Sequence, residues 1–245
     1  MDHKADKDIF GDYEVEEVKD QIHGDANFEI RTLGIAGAPH DKWYWHKNDI
    51  GAWHGPAMDW NTGVYAGHYE NFVEKIPYHD RGTVITAGGA MGMYARGYAG
   101  LFESVYVFEP YWENFHALVR NNFYENVHFF NAALGSKPGM GYIRSRQDNN
   151  FGMFQLKAAS DIVHGHIPIM TIDQLALRRC DLIQLDLEGA EFEALKGAKR
   201  TIEKFMPDVV TEGNDENTIK LLEGFGYGFA GSSHADFIYR KKAKL

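Results

Sequence analysis

The stretch that decides the fold is TVITAGGAMGMYARGYAGLFESVYVFEP, residues 83–110. A short apolar run ends in glycines, a helix-compatible segment follows, and a second apolar run ends in Glu109. This order is typical of a strand, a nucleotide-binding turn, a helix and a second strand that ends in a carboxylate. Glycine lets bare backbone approach a ligand, and a carboxylate about twenty residues later can bind both hydroxyls of a ribose. The stretch therefore predicts a site for a cofactor that contains a nucleoside.

The rest of the chain continues to alternate apolar strand patterns with amphipathic helix patterns. After residue 110, the predicted strands are 127–134, 181–189, 207–213, 227–231 and 236–241, with a short strand near Tyr142. The predicted helices are 91–101, 111–123, 171–177, 190–204 and 217–226, and an earlier helix runs from Val64 to the residue before Pro77. Such alternation predicts an α/β fold whose mostly parallel sheet is covered on both faces.

Composition narrows the class of protein. The 245 residues carry a net charge of −10, which argues against a broad nucleic-acid-binding surface. A single cysteine, Cys180, fits a reducing compartment. The polar N-terminus does not resemble a signal peptide, and no apolar run approaches the roughly twenty residues needed to cross a bilayer. We therefore expect a soluble, cytoplasmic protein without nucleic-acid or membrane partners.

Residues 1–80 differ from the rest of the chain because tryptophan and histidine are concentrated there. They include Trp43, Trp45, Trp53 and Trp60, interleaved with His40, His46, His54 and His68. We predict that residues 1–80 form an aromatic-rich extension that packs on a core domain of residues 81–245 and shapes the choice of substrate. The aromatic residues are favoured as a satellite core, with stacking on a ring or sugar as the alternative.

Candidate cofactor contacts follow the first three core strands. Gly88, Gly89 and Gly92 form the turn after the first strand, where packing of a tight turn is the alternative explanation. Glu109 ends the second strand and is the candidate acceptor for ribose hydroxyls. Asn131 and Ala132 end the third strand, where small residues leave room for a flat ring and an amide can bind adenine edges.

Candidate catalytic carboxylates follow the fourth and fifth strands. Asp186 and Glu188 are two residues apart at the end of a strongly apolar strand, and Glu212 ends the next strand along the chain. Glu212 is expected beside Asp186 at the same edge of the sheet, where it could line the substrate pocket, and a position at the surface is the alternative. Burial beside a like charge would raise one pKa and favour proton abstraction. The alternatives are a divalent-cation site, or pairing of Glu188 and Glu191 with a helix N-terminus. We assign no metal ion.

Six segments, in order and at natural distances, together resemble the FkbM family of S-adenosylmethionine-dependent methyltransferases. They are VITAGGAMGMYA, VYVFEP, FFNAALG, TIDQL, DLIQLDLEGAEFEALKGA and PDVVTEG. The resemblance implies a class I methyltransferase fold, a Rossmann-like three-layer sandwich with a seven-stranded sheet and an antiparallel last strand. It also implies S-adenosylmethionine as cofactor and methyl transfer to a hydroxyl oxygen of a sugar, glycan or small natural product.

By position, the resemblance assigns the three turn glycines, Glu109, Asn131 and Ala132 to cofactor binding. It places Asp186 and Glu188 near the reacting methyl group, with Asp186 also contacting the cofactor. One position departs from the family, because Thr86 stands where an aspartate usually precedes the turn. Thr86 is therefore the cofactor contact whose strength the sequence puts in question.

Two other functions compete with methyl transfer. A non-catalytic module that binds S-adenosylmethionine or a nucleotide is favoured by Thr86. An NAD-dependent enzyme of Rossmann type would need a G-x-G-x-x-G turn, which this chain lacks.

Overall fold

A computed structural model describes residues 28–35, 41–47, 58–59, 64–65, 69–145, 154–158 and 166–242. Its first strands are β1 (Phe28–Ile35), β2 (Asp41–His46), β3 (Met58–Asp59), β4 (Val64–Tyr65), β5 (Thr83–Ala87), β6 (Ser104–Phe108) and β7 (Val127–Phe130). The remaining strands are β8 (Ala133–Leu134), β9 (Gly139–Ser145), β10 (Phe154–Ala158), β11 (Ile167–Met170), β12 (Leu182–Leu185), β13 (Asp208–Glu212), β14 (Tyr227–Ser233) and β15 (Asp236–Lys241).

Six α-helices lie between these strands in the described residues. They are α1 (Tyr69–Val73), α2 (Met93–Ala99), α3 (Trp112–Asn121), α4 (Glu191–Lys196), α5 (Lys199–Phe205) and α6 (Glu216–Gly224). Two 3₁₀ turns, Tyr78–Asp80 and Ile172–Leu175, complete the set. None of the helices in the described ranges is both long and apolar enough to cross a membrane.

Seven strands form the central sheet in the order β14-β15-β13-β12-β5-β6-β7. All neighbours are parallel except β15, which runs antiparallel to both β13 and β14. Strands β5 and β12 are buried at every position, as expected for parallel strands covered on both faces. The predicted α/β architecture of class I methyltransferases, with its antiparallel last strand, is confirmed.

Two smaller sheets accompany the central one. Strands β2-β1-β4-β3 form one, and β10-β9-β11-β8 form the other, which contains the strand predicted near Tyr142. In the extension, Trp43, Trp45 and Phe72 are buried in the same hydrophobic cluster as sheet residues. This burial agrees with a packing role for the aromatic residues. Trp53, Trp60, His40, His54 and His68 lie outside the residues whose side chains are described, and the domain boundary at residue 80 stays a prediction.

Three predicted helices differ from the structure. Val64 and Tyr65 pair with β3 and β1, so their backbone groups belong to a sheet and α1 is short. Helix α3 ends at Asn121, which leaves Phe123 outside the buried helical face and 81% exposed. The helix predicted over 190–204 is divided into α4 and α5 beside Gly197. A Cβ there would lie 2.1 Å from the carbonyl oxygen of Gly135, so only glycine fits.

Thr86 lies in the middle of the sheet, directly opposite Gln184 on β12. Its hydroxyl donates a hydrogen bond to Oε1 of Gln184, and both side chains are fully buried. The Nε2 atom of Gln184 has no hydrogen-bond partner in the described part of the chain. Thr86, which stands where the family usually has an aspartate, thus forms a neutral, buried pair with Gln184 across two core strands.

We expect Thr86→Asp to lower the free energy of unfolding by about 3 kcal/mol, because it places an acid beside a neutral amide in the core. Adding Gln184→Lys supplies an opposite charge at the neighbouring position, so the double variant should recover part of the loss. Urea unfolding at pH 7 measures both values. A double variant no more stable than Thr86→Asp alone would contradict this account of the pair.

Candidate active site

The glycine turn after β5 is held by contacts with the ends of the two neighbouring strands, β12 and β6. Gly88 has a φ of +81°, and a Cβ there would lie 1.8 Å from the carbonyl oxygen of Asp186. The amides of Gly88 and Gly89 donate to the carbonyl oxygen of Phe108 at 3.1 and 3.0 Å. Gly92 has a φ of +96°, and its Cβ would lie 1.9 Å from Nδ2 of Asn122. Packing alone therefore requires glycine at 88 and 92, and ligand contact at the turn stays a prediction.

Glu109 connects this turn to the next helix. One carboxylate oxygen accepts the amide of Ala90 at 2.7 Å, and the other accepts the amide of Tyr111 at 2.8 Å. The residue is 5% exposed, and this burial raises its pKa to about 8 although both amides favour the charged form. Each oxygen keeps a lone pair, so the carboxylate can still accept two hydroxyl donors.

Asn131 and Ala132 lie beside Glu109 but differ in exposure. The Asn131 amide donates to the carbonyl oxygens of Glu109 at 2.9 Å and Pro110 at 3.2 Å, so it fixes the backbone that carries the acid. Ala132 is buried. Their predicted contact with adenine stays a prediction.

The three predicted catalytic acids meet at the carboxyl ends of β12 and β13. One oxygen each from Asp186, Glu188 and Glu212 lies within 4.8 Å of the others. The parallel register places Leu185 opposite Thr211, so the residues that follow, Asp186 and Glu212, come side by side. Oxygens this close could also bind a divalent cation, as the cation alternative requires.

A fourth acid, Asp236, extends this group. It lies opposite Glu212 in the antiparallel pair of β13 and β15, and it is 7% exposed. Sequence reasoning missed it, because only the register between β13 and β15 shows which residue faces Glu212. The same strand-end position that singled out Glu212 could have suggested it, since Asp236 begins β15 at that edge of the sheet.

Burial and the nearby charge of Glu212 favour the protonated forms of two of these acids, Asp186 and Asp236. The pKa of Asp186 is raised well above its ordinary value, first by burial and then by the charge of Glu212 and a hydrogen bond with it. The pKa of Asp236 is raised to about 7 by burial and by Glu212. The group can therefore hold and exchange protons near neutral pH.

Glu191 caps the turn instead of joining the acid group. Its Oε1 accepts the amides of Leu187 at 2.8 Å and Gly189 at 3.4 Å, just before α4 begins. The helix-terminus alternative thus holds for Glu191, while Glu188 lies with Asp186 and Glu212.

A cavity of about 430 Å³ opens beside the acid group and is lined in part by Glu188, Glu212 and Asp215. Its described lining residues include no lysine or arginine.

Comparison with known proteins gives one family. The Methyltransferase FkbM domain model matches residues 93–229, more than half of the chain. The match includes Glu109, Asn131, Asp186 and Glu212 but begins after the glycine turn and Thr86. No curated protein matches the chain.

The solved structures that are similar to this chain are distant in sequence. An FkbM methyltransferase from Methylobacillus flagellatus KT is 21% identical with a TM-score of 0.46, covering 66% of this chain and 44% of that chain. This chain therefore spans less than half of that protein's length. An rRNA methylase from Streptococcus thermophilus is 12% identical with a TM-score of 0.42, covering 71% of this chain and 95% of that chain.

We expect Gly88→Ala to destabilise the protein more than Gly189→Ala does. Both glycines have positive φ, but a Cβ at 189 meets nothing within 4 Å, whereas one at 88 collides with the Asp186 carbonyl. The control should cost about 1–2 kcal/mol from backbone strain, and Gly88→Ala should cost about 2 kcal/mol more. Chemical denaturation of both variants measures the difference, and equal losses would refute the contact.

Glu109 should make stability depend on pH. Because its pKa is raised in the folded state, its contribution is fully present below the ordinary value of 4.5 and is lost as the pH rises through about 8. Glu109→Gln removes this dependence, so only the wild-type protein loses stability as the pH rises. The free energy of unfolding of the variant minus that of wild type should therefore increase by on the order of a few kcal/mol between pH 5 and pH 8. Denaturation across that range tests this, and parallel pH curves for the two proteins would show that Glu109 is not protonated in the fold.

Proposed function

Because this chain belongs to the FkbM methyltransferase family, we propose that it methylates a hydroxyl oxygen of a sugar, glycan or small natural product, with S-adenosylmethionine as donor. The observation that carries the proposal is the contact between the glycine turn and the acid group. Gly88 lies directly against the backbone of Asp186, whose side chain meets Glu188 and Glu212. A cofactor on the turn would thus lie next to groups able to receive a proton.

The residues after β6 fit the ribose of that cofactor. Glu109 is buried at the carboxyl end of the strand, and its two oxygens each have room for one hydroxyl donor beyond the backbone amides they already accept. Hydroxyl donors favour the charged carboxylate, so they would offset the burial that raises its pKa. Asn131 holds the backbone of Glu109 in place for this contact.

The acid group supplies the second requirement, a proton acceptor. When bound, S-adenosylmethionine supplies a methyl group on a sulfonium, which an aligned oxygen can attack without further activation of the leaving group. The protein must hold the acceptor hydroxyl in line and take its proton. Asp186 and Glu212 are hydrogen-bonded to each other, and the raised pKa of Asp186 makes its ionised form a better proton acceptor than an ordinary carboxylate. Glu188 lies close enough to orient the same hydroxyl.

The cavity beside the acids supports a small acceptor. Its volume of about 430 Å³ suits a sugar-sized group. Its acidic lining disfavours phosphates, in agreement with the net charge of −10 and with the proposal that nucleic acid is not the acceptor. A soluble, cytoplasmic enzyme without a membrane partner is part of the same proposal.

A second function, cofactor binding without turnover, is favoured by one observation. The neutral Thr86–Gln184 pair removes a carboxylate from the strand that leads into the turn. Calorimetry with S-adenosylmethionine, S-adenosylhomocysteine and NAD, followed by methyl-transfer assays on a panel of sugars and polyols, separates the candidates. Binding of both sulfur compounds with methyl transfer supports the enzyme. Binding without transfer favours the module, and binding of NAD alone overturns both.

Replacing the acids should separate chemistry from cofactor binding. We expect Asp186→Asn and Glu212→Gln each to lower kcat by about 100-fold, because general-base catalysis is lost. The Kd for S-adenosylhomocysteine should change little in Glu212→Gln, whereas Asp186→Asn should also raise it, because Asp186 is assigned a contact with the cofactor. Glu216→Gln is the matched control, because that side chain is on the surface of α6 and contacts Lys220. Unchanged turnover in Asp186→Asn with intact cofactor binding would remove Asp186 from the proposed role.

A further inference from the structure

We propose that Asn121 is a positioning residue that couples the N-terminal β1–β2 hairpin to the cofactor turn. This inference rests on the proposed function, because it assumes that the turn binds S-adenosylmethionine. Asn121 is the last residue of α3 and is 4% exposed. It lies between two segments that are distant in the sequence, β2 and the glycine turn, and its side chain contacts the backbone of both.

The amide of Asn121 binds Tyr44 as a neighbouring strand would. Its Oδ1 accepts the Tyr44 amide at 2.7 Å, and its Nδ2 donates to the Tyr44 carbonyl at 2.9 Å. The side chain thus satisfies both backbone groups of a residue in β2 at once. Because an unpaired backbone group costs free energy when buried, removing the amide would loosen the hairpin at this point.

The second donor of the same amide holds the turn. Nδ2 also donates to the carbonyl oxygen of Met91 at 2.8 Å. Met91 lies between Ala90, whose amide binds the Glu109 carboxylate, and Gly92, which precedes α2. With one hydrogen given to Tyr44 and one to Met91, both donors of Nδ2 are used. The position of the hairpin and the position of the turn are therefore fixed by one side chain.

Neighbouring contacts make the hairpin rigid where the amide binds it. The guanidinium of Arg96, in α2, lies 3.8 Å from the Trp43 ring and donates to the Asn121 carbonyl. The Arg120 guanidinium, in α3, lies 4.8 Å from the Tyr44 ring. Cations stacked on both aromatic residues hold β2 against α2 and α3. Movement of the hairpin would consequently be transmitted to Met91 and the turn.

The test compares Asn121→Ala with Asn126→Ala in the chain of 245 residues. Asn126 is a matched control because its Nδ2 also donates to two carbonyls, of Ala99 and Phe102, but at the far end of α2 from the turn. Both variants should lower the melting temperature. Only Asn121→Ala should weaken S-adenosylhomocysteine binding, by about tenfold, because only it releases the turn. Equal affinities in the two folded variants would overturn the proposal.

Hydrogen exchange gives a readout that a merely stabilising residue would not move. Asn121→Ala should speed amide exchange in residues 41–47 and 88–92 together, whereas Asn126→Ala should leave both segments at the wild-type rate. Faster exchange in only one segment would refute the coupling. If Asn121→Ala fails to fold, Asn121→Asp replaces it, since the carboxylate keeps the Tyr44 amide bond but cannot donate to the two carbonyls.

The two measurements separate failure of this inference from failure of the proposed function. If the wild-type protein binds neither S-adenosylhomocysteine nor S-adenosylmethionine, the proposed function fails, and hydrogen exchange still decides the coupling. If wild type binds the cofactor and Asn121→Ala binds it equally well, the proposed function stands and the positioning role of Asn121 is wrong.

Discussion

The close approach of β5 and β12 at Gly88 is the constraint on which the rest of the site depends. The carbonyl of Asp186 occupies the space that any side chain at residue 88 would need. Only glycine fits this space, and Gly88 has the positive φ with which the chain turns sharply after the first core strand. The contact also fixes the distance between the predicted cofactor turn and the acids that follow β12. A single steric contact thus joins the predicted cofactor turn to the acids that are proposed to accept the proton.

The sequence predicted most of the central sheet and the meeting of three acids, because both follow from simple rules. Parallel strands end at one edge of a sheet, so Asp186 and Glu212 had to come together. The strand-end position of Asp236 is visible in the sequence, but its place opposite Glu212 depends on the register of the antiparallel pair of β13 and β15. Spacing alone predicts a helix over 111–123 that includes Phe123, but the helix ends before that residue. Val64 pairs with both β1 and β3. Its own strand is only two residues long and gives no periodic signal.

The neutral pair of Thr86 and Gln184 changes how the threonine at position 86, in place of the family's usual aspartate, is interpreted. Taken alone, threonine in place of a carboxylate indicates a lost function. In the structure its hydroxyl is bound to a buried amide on the neighbouring strand, so the position is part of a core without charge. The substitution is therefore accommodated by its surroundings rather than left as a defect. Any effect on the cofactor would be indirect, through the charge missing beneath the turn.

The place of β15 between β13 and β14 has a consequence for the order in which the central sheet assembles. This strand follows both of its neighbours in the sequence, yet it fills an interior position of the sheet and brings Asp236 to the acid group. Strand β14 pairs with no other strand of the described central sheet, so it can join that sheet only through β15. The edge of the sheet and the position of Asp236 opposite Glu212 are therefore set in one step, when β15 pairs with β13.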